Sequence, residues 1–180
     1  MDVKNQSLLG LFTAALLTLP LGAQAVGSLT GQMGVQLTIS TGCTIGNGTT
    51  TGGINQWGSI NFGNYADLTS IINGNLTGTN GNAVTVTCST GLTPSLALNG
   101  GLAATGAVRA MTSSGNKISY RLYSDAAHTA EIGINTPVTL TTGTTAQNFP
   151  IYGRVLPADQ TSTTPAAGTY ADTVVATISW

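Results

Sequence analysis

Charge is what this chain lacks most. Only 6% of its 180 residues are Asp, Glu, Lys or Arg, against roughly 25% in an ordinary soluble domain. There is one Glu and one His, and five cations face six acids for a net charge of −1. Five scattered cations cannot form the basic stripe that a nucleic-acid binder needs. A single Glu excludes a coiled coil, whose heptads draw on Ala, Glu, Lys and Leu. Aromatics are sparse as well, at 6%, and cysteines number two. A charge-driven disordered chain is also excluded, because 41% of the residues are apolar. What is abundant is small and polar: Thr 31, Gly 24, Ser 13 and Asn 13, together 81 of 180 residues. Thr, Val, Ile and Tyr favour strands while Gly and Asn favour turns, so the composition reads as one β-rich domain.

Residues 1–25 read as an export signal that precedes this domain. Lys4, offset by Asp2, is followed by an apolar run from Leu8 to Leu19; Pro20 and Gly22 break it, and Ala23-Gln24-Ala25 offers an A-x-A cleavage site. The alternative is a membrane anchor. Twelve residues of helix rise only about 18 Å, short of the roughly 30 Å hydrocarbon core. Cleavage after Ala25 leaves 155 residues, room for one sandwich-sized core and no membrane span. Export sets the redox context too. Cys43 and Cys88, 45 positions apart, are then most simply a disulfide. Such a cross-link contributes about 4 kcal/mol on a chain-entropy estimate. The alternatives are free thiols or a metal, although two thiols and one imidazole fall short of a zinc ligand set.

Alternation with period 2 runs through the rest of the chain. Leu29, Gly31, Met33, Val35, Leu37 and Ile39 occupy alternate positions, with Thr30, Gln32, Gly34, Gln36 and Thr38 between them, which predicts a half-buried strand. Residues 57–62 (WGSINF) predict a short strand, whereas residues 64–82 read as polar and turn-rich apart from Ile71 and Ile72. Further short strands are expected at Val84, Val86 and Cys88, at Leu96 and Leu98, at Ile118, Tyr120 and Leu122, at Val138 and Leu140, from Phe149 through Ile151 to Gly153, and at Val174, Ala176, Ile178 and Trp180. About eight strands with turn signals between them and no convincing helix predict an all-β sandwich. The competing all-β idea is a Thr-rich solenoid. It needs a fixed repeat, and the Thr clusters at 49–51, 141–145 and 161–164 share no period.

Both ends of the sequence are strongly patterned, where most domains fray. A plain sandwich could pair both strands within itself. Alternatively, the domain lacks a strand and its N-terminal segment, residues 26–40, fills the gap in a neighbouring copy, leaving residues 41–180 as the domain proper.

Six stretches in order carry a resemblance: GQMGVQLTISTGCTI, NQWGSINFG, VTVTC, YRLYSDAAHT, FPIYGRVLP and GTYADTVVATISW. Together, behind a signal peptide and with two cysteines, they resemble the archaic (Csu-type) chaperone–usher pilus subunits, the group that includes spore coat protein U domains. The likeness covers nearly all of residues 26–180. It implies an incomplete immunoglobulin-like sandwich lacking its last strand, exported through the periplasm to the surface of a Gram-negative bacterium. Its implied partners are a periplasmic chaperone that lends a strand, an outer-membrane usher, and copies of itself or sister subunits, whose N-terminal segments replace the chaperone strand. Leu29, Met33, Val35 and Leu37 would then be the inserted side chains, with Gly31 where related donor strands often carry a small residue. Val174, Ala176, Ile178 and Trp180 would line the acceptor groove, and the carboxylate on Trp180 would meet basic residues of the chaperone.

Nothing in the sequence assembles a catalytic set, and no cofactor or metal is implied. Ser114 to Lys117 matches S-x-x-K, but its K-T-G and S-D-N companions are missing and SSGN reads as a turn. His128, near Asp125, reads as a loop or cap residue, and Asp172 as structural. The sequons at Asn47 and Asn75 are of the kind that chance supplies in so Thr/Asn-rich a chain. A pilus subunit with a part in adhesion and biofilm formation is therefore the leading expectation. A spore or cell-surface coat protein of the same family, and a secreted carbohydrate-binding or adhesin module, are the alternatives.

Overall fold

The computed structural model describes residues 32–51, 54–141 and 143–180. The expected signal at 1–25, with Leu29 and Gly31, lies outside the described residues. The chain divides into two units, Met1–Thr38 and Ile39–Trp180. Residues 32–42 carry no strand, and Met33, Val35, Leu37 and Ile39 are 85, 85, 83 and 86% exposed. The half-buried strand expected there is absent over these residues. An alternating pattern makes a strand only when another strand satisfies its main chain and something covers its apolar face.

The second unit is all-β. Its described residues form thirteen strands and one short 3₁₀ turn, Pro157–Asp159. The longest sheet has five antiparallel strands. In spatial order these are β4 (Ser59–Ile60), β5 (Ile72–Thr77), β12 (Tyr152–Val155), β9 (Asn116–Tyr123) and β8 (Arg109–Ser113). A second sheet joins β1 (Cys43–Gly46), β6 (Thr85–Cys88) and β11 (Gln147–Asn148). A third joins β10 (Val138–Thr139), β7 (Ser95–Leu98) and β13 (Ala176–Ser179). A small hairpin pairs β2 (Thr49–Thr51) with β3 (Ile54–Gln56). One buried cluster draws on all three larger sheets, with Ile72, Val86, Leu96, Leu98, Tyr120, Leu122 and Val155 among its members. Such an arrangement of antiparallel layers around a shared core is sandwich-like.

Several strands escaped the alternation argument, among them β1, β2, β3 and β11, and most tellingly β5 and β8. Strand β5 reads INGNLT, and Asn and Gly are poor strand formers. It is nonetheless interior, between β4 and β12. Gly74 of β5 stands opposite Gly153 of β12, and a side chain at either would meet Ile60 or Phe62 at 2.8 or 2.7 Å. The two glycines let Phe62 and Ile60 lie flat on the sheet, so the apolar cover comes from a different segment. For the same reason the strand expected over 57–62 shrinks to Ser59–Ile60, while Trp57 stacks edge-on against Phe149 with centroids 6.0 Å apart. Strand β8, RAMTS, was hidden by its Arg, which is buried to 2% exposure. Between β8 and β9, Ser114 and Gly115 take φ of 46° and 86°, the two positive values of a type I′ hairpin. The turn reading of SSGN holds.

Cys43 and Cys88 are directly opposite in the β1–β6 ladder, and their sulfurs are bonded at 2.09 Å. The expected disulfide thus staples the strand that follows the N-terminal segment to a core strand. Among the described residues no helix is long and apolar enough to cross a membrane.

Candidate functional site

The feature that stands out chemically is an uncovered strand edge. Strand β13 pairs antiparallel with β7 through Ala176↔Leu98, Thr177↔Ala97, Ile178↔Leu96 and Ser179↔Ser95, and no described strand lies on its other side. Val174, Ala176 and Ile178 alternate with exposed neighbours and pack, half-buried, against the core. Trp180 is 59% exposed, and its ring lies beside Gly42, just before β1. Of the residues nominated from the sequence for the groove, Ala176 and Ile178 lie in β13, Val174 two residues before it and Trp180 directly after it. Val174, Ala176 and Ile178 face the core, and Trp180 stands in contact with solvent.

Three devices hold β13 in place. Asp172, two residues before Val174, accepts from the Tyr120 hydroxyl at 2.6 Å, from the Leu102 amide at 2.7 Å and from the Thr173 amide at 2.8 Å. Gly101, at φ +73°, lies so close to this carboxylate that no side chain fits there. Burial, reinforced by the bond to Asp172, raises the Tyr120 phenol well above its ordinary pKa, so it stays a donor. Asn99 closes the strand's start from the β7 side. Its amide donates to Val175 O at 2.9 Å and its side-chain oxygen accepts from the Val175 amide at 2.8 Å. The structural role read for Asp172 is what these contacts perform.

Arg109 is the third device, and no pattern of residues marks it in advance. From β8 its guanidinium donates to the carbonyls of Asn99 at 2.8 Å, Ile132 at 2.8 Å, Leu98 at 3.0 Å and Gly133 at 3.3 Å. Desolvation lowers its pKa, with charged neighbours working the other way. This interior cation has no bonded carboxylate; its hydrogen bonds all go to main-chain carbonyls, and they lock the end of β7 to the five-stranded sheet. A lone Arg in GAVRAMT carries no pattern that reveals this.

The other residues weighed from the sequence have local partners. His128, at φ 58°, receives a bond from Arg154 on Nδ1 at 2.9 Å and packs edge-on against Tyr123 with centroids 5.1 Å apart. Asp125 caps the same loop through the amides of Thr129 and Ala130, which hold its carboxyl below the usual range. Ser114 is a hairpin turn residue.

The architecture is that of an all-β sandwich in which β13, like the other outermost strands of its sheets, is paired on one side only among the described residues, and relatives can be placed on that basis. A match to the Spore Coat Protein U domain spans residues 29–177, so the chain belongs to that family. Twelve solved chains match in fold. One comes from the crystal structure of the CsuC–CsuE chaperone–tip adhesion subunit pre-assembly complex of the archaic chaperone–usher Csu pili of Acinetobacter baumannii. It superposes with a TM-score of 0.50 at 22% identity over 79% of this chain and 40% of that one. The present chain thus spans 40% of the length of the chain it matches. No curated protein sequence matches.

Proposed function

We propose that this protein is a structural, non-catalytic subunit of a surface pilus, exported through the periplasm and assembled by strand donation with the help of a chaperone and an outer-membrane usher. In this reading the sandwich lacks its last strand, and the gap is the open side of β13. Residues 26–40 are the donor segment, inserting Leu29, Met33, Val35 and Leu37, with Gly31 among them, into the next subunit. The acceptor wall is Val174, Ala176, Ile178 and Trp180. The carrying observation is a pair of elements in one chain: a strand, β13, that has no described strand on its outer side, and an alternating apolar segment whose Met33, Val35 and Leu37 are more than four-fifths exposed. Strand addition joins such halves, with main-chain bonds giving affinity and alternate side chains giving register. Family membership and the Csu-pilus fold likeness support the same reading. Adhesion and biofilm formation would follow from the assembled filament. The family's description favours one other destination, a coat built from the same module. Immunogold labelling separates the two, since filaments and a continuous shell look different.

The test is a substitution in the donor segment. Each inserted side chain contributes about 1.5–3 kcal/mol by burial, and a carboxylate in its place loses its hydration with no partner. Val35→Asp is expected to weaken subunit-to-subunit capture about 100-fold or more while leaving chaperone binding intact, because the chaperone engages the β13 edge. Gln36→Lys, on the alternate face, is expected to assemble nearly normally. Normal polymerisation of the Val35→Asp protein would overturn the proposal.

A further inference from the structure

The five-stranded sheet carries a cleft that the strand-donation reading leaves unused. The register sets its rows. Tyr152 stands opposite Asn75 on one side and Tyr123 on the other, and Arg154 stands opposite Asn73 and Arg121. Residues directly opposite share a face. Ile72, Gly153 and Val155 alternate with them and are buried, so these six lie on the face away from the core. At one end of that face Asn73, Asn75, Tyr152 and His128 meet Asn148 and residues 149–151 around a cleft of about 420 Å³. Small-molecule sites run from roughly 300 to 1,000 Å³.

The chemistry of this cleft is one-sided. No Asp, Glu, Lys or Arg lines it. Arg154, on the same face, is committed: its Nε donates to Asn73 Oδ1 at 2.9 Å and its Nη2 to His128 Nδ1 at 2.9 Å. This brace fixes one wall. His128 joins it from a left-handed backbone, φ 58°, with its ring edge-on to Tyr152 and centroids 5.9 Å apart. The side chains of Asn75, Asn148 and Tyr152, by contrast, have no hydrogen-bond partner among the described residues, and both asparagines are exposed. Each carboxamide offers an acceptor oxygen and two N–H donors, and the phenol adds an apolar ring with a polar tip.

We propose that this cleft binds a neutral saccharide of one or two rings. Vicinal sugar hydroxyls both donate and accept, and a carboxamide answers both at once. The C–H face of a pyranose suits the Tyr152 ring and the apolar residues 149–151. An anionic ligand finds no uncommitted cation here. A wholly apolar one would strip water from Asn75 and Asn148 without replacing its hydrogen bonds. The cleft shares no residue with β13 or with residues 26–40, so the proposal stands or falls apart from strand donation.

Saturation-transfer NMR on the full chain tests this. The neutral probes are maltose, lactose, cellobiose and N,N′-diacetylchitobiose, and 3′-sialyllactose is the charged one. At least one neutral disaccharide should receive saturation. Asn75→Ala and Asn148→Ala should each weaken its binding about fivefold or more, at unchanged melting temperature. If either alanine lowers the melting temperature, the isosteric Asn75→Asp or Asn148→Asp, which removes the two N–H donors, decides in its place. No transfer to any of the four neutral sugars overturns the proposal. Undiminished binding in the variants overturns it too, since the sugar then sits elsewhere. A stronger response to 3′-sialyllactose than to lactose overturns the assignment to a neutral ligand.

Discussion

All four cations among the described residues lie on the five-stranded sheet: Arg109 on β8, Lys117 and Arg121 on β9, and Arg154 on β12. The sheet that ends in β13 carries no charge of either sign, and neither does the sheet built on β1. On the first sheet every cation is tied to a partner inside the chain. Arg121 bonds Asp159 and Glu131, Arg154 bonds Asn73 and His128, Lys117 bonds Ala103 O and Thr105, and Arg109 holds four carbonyls. These charges fasten the molecule internally. An edge strand is normally guarded against stray pairing by a lysine, a proline or a bulge. Strand β13 carries neither lysine nor proline, and its Ala176 and Ile178 side chains pack half-buried against the core. The contrast teaches that the charges of this molecule serve its internal fastening and that the sheet ending in β13 is held without them.

The largest effect that could break this comparison is expected at Arg109, which joins the two regions. Arg109→Ala would strand several buried carbonyls and open a cavity, and a loss of about 3 kcal/mol or more is expected in denaturant titration. A loss below about 1 kcal/mol would mean that the sheets do not depend on this latch. Tyr120→Phe removes the bond to Asp172 that anchors the start of β13. A loss of about 1–2 kcal/mol is expected, with an earlier effect on strand capture than on the five-stranded sheet. Equal loosening of both sheets would argue against a local anchor. The smallest effect is expected from pH. The Asp159 carboxyl is held below its ordinary pKa, chiefly by its bond to Arg121. A depressed folded-state value means the contribution is present above the unfolded pKa, about 3.9, and is lost as pH falls through the folded one. Melting temperature should therefore drop below about pH 4, and Asp159→Asn should flatten part of that drop. Because β13 and residues 26–40 carry no charge, capture of that segment under the strand-donation proposal should not follow the same curve.

Much of this was legible before any coordinates. Strands at Val84–Cys88, Leu96–Leu98 and Ile118–Leu122 alternate cleanly because one face of each is buried by its neighbours. The disulfide followed from a count of two cysteines in an exported chain. Strand β5 did not show, because its cover is Phe62 and Ile60 from another segment, laid over glycines that read as turn residues. Arg109 did not show, because a buried cation satisfied by carbonyls leaves no periodic trace.

By itself the sequence determined that the protein is a charge-poor, β-rich sandwich with an alternating apolar segment ahead of its first cysteine, since period and composition act locally and need no partner. Only the tertiary structure decided that this segment forms no strand over its described residues, that β13 stands at the end of the sheet built on β7, and that Ala176 and Ile178 pack half-buried against the core. Those properties belong to the pairing between strands, which depends on which elements stand beside which and is not encoded in any one stretch of the chain.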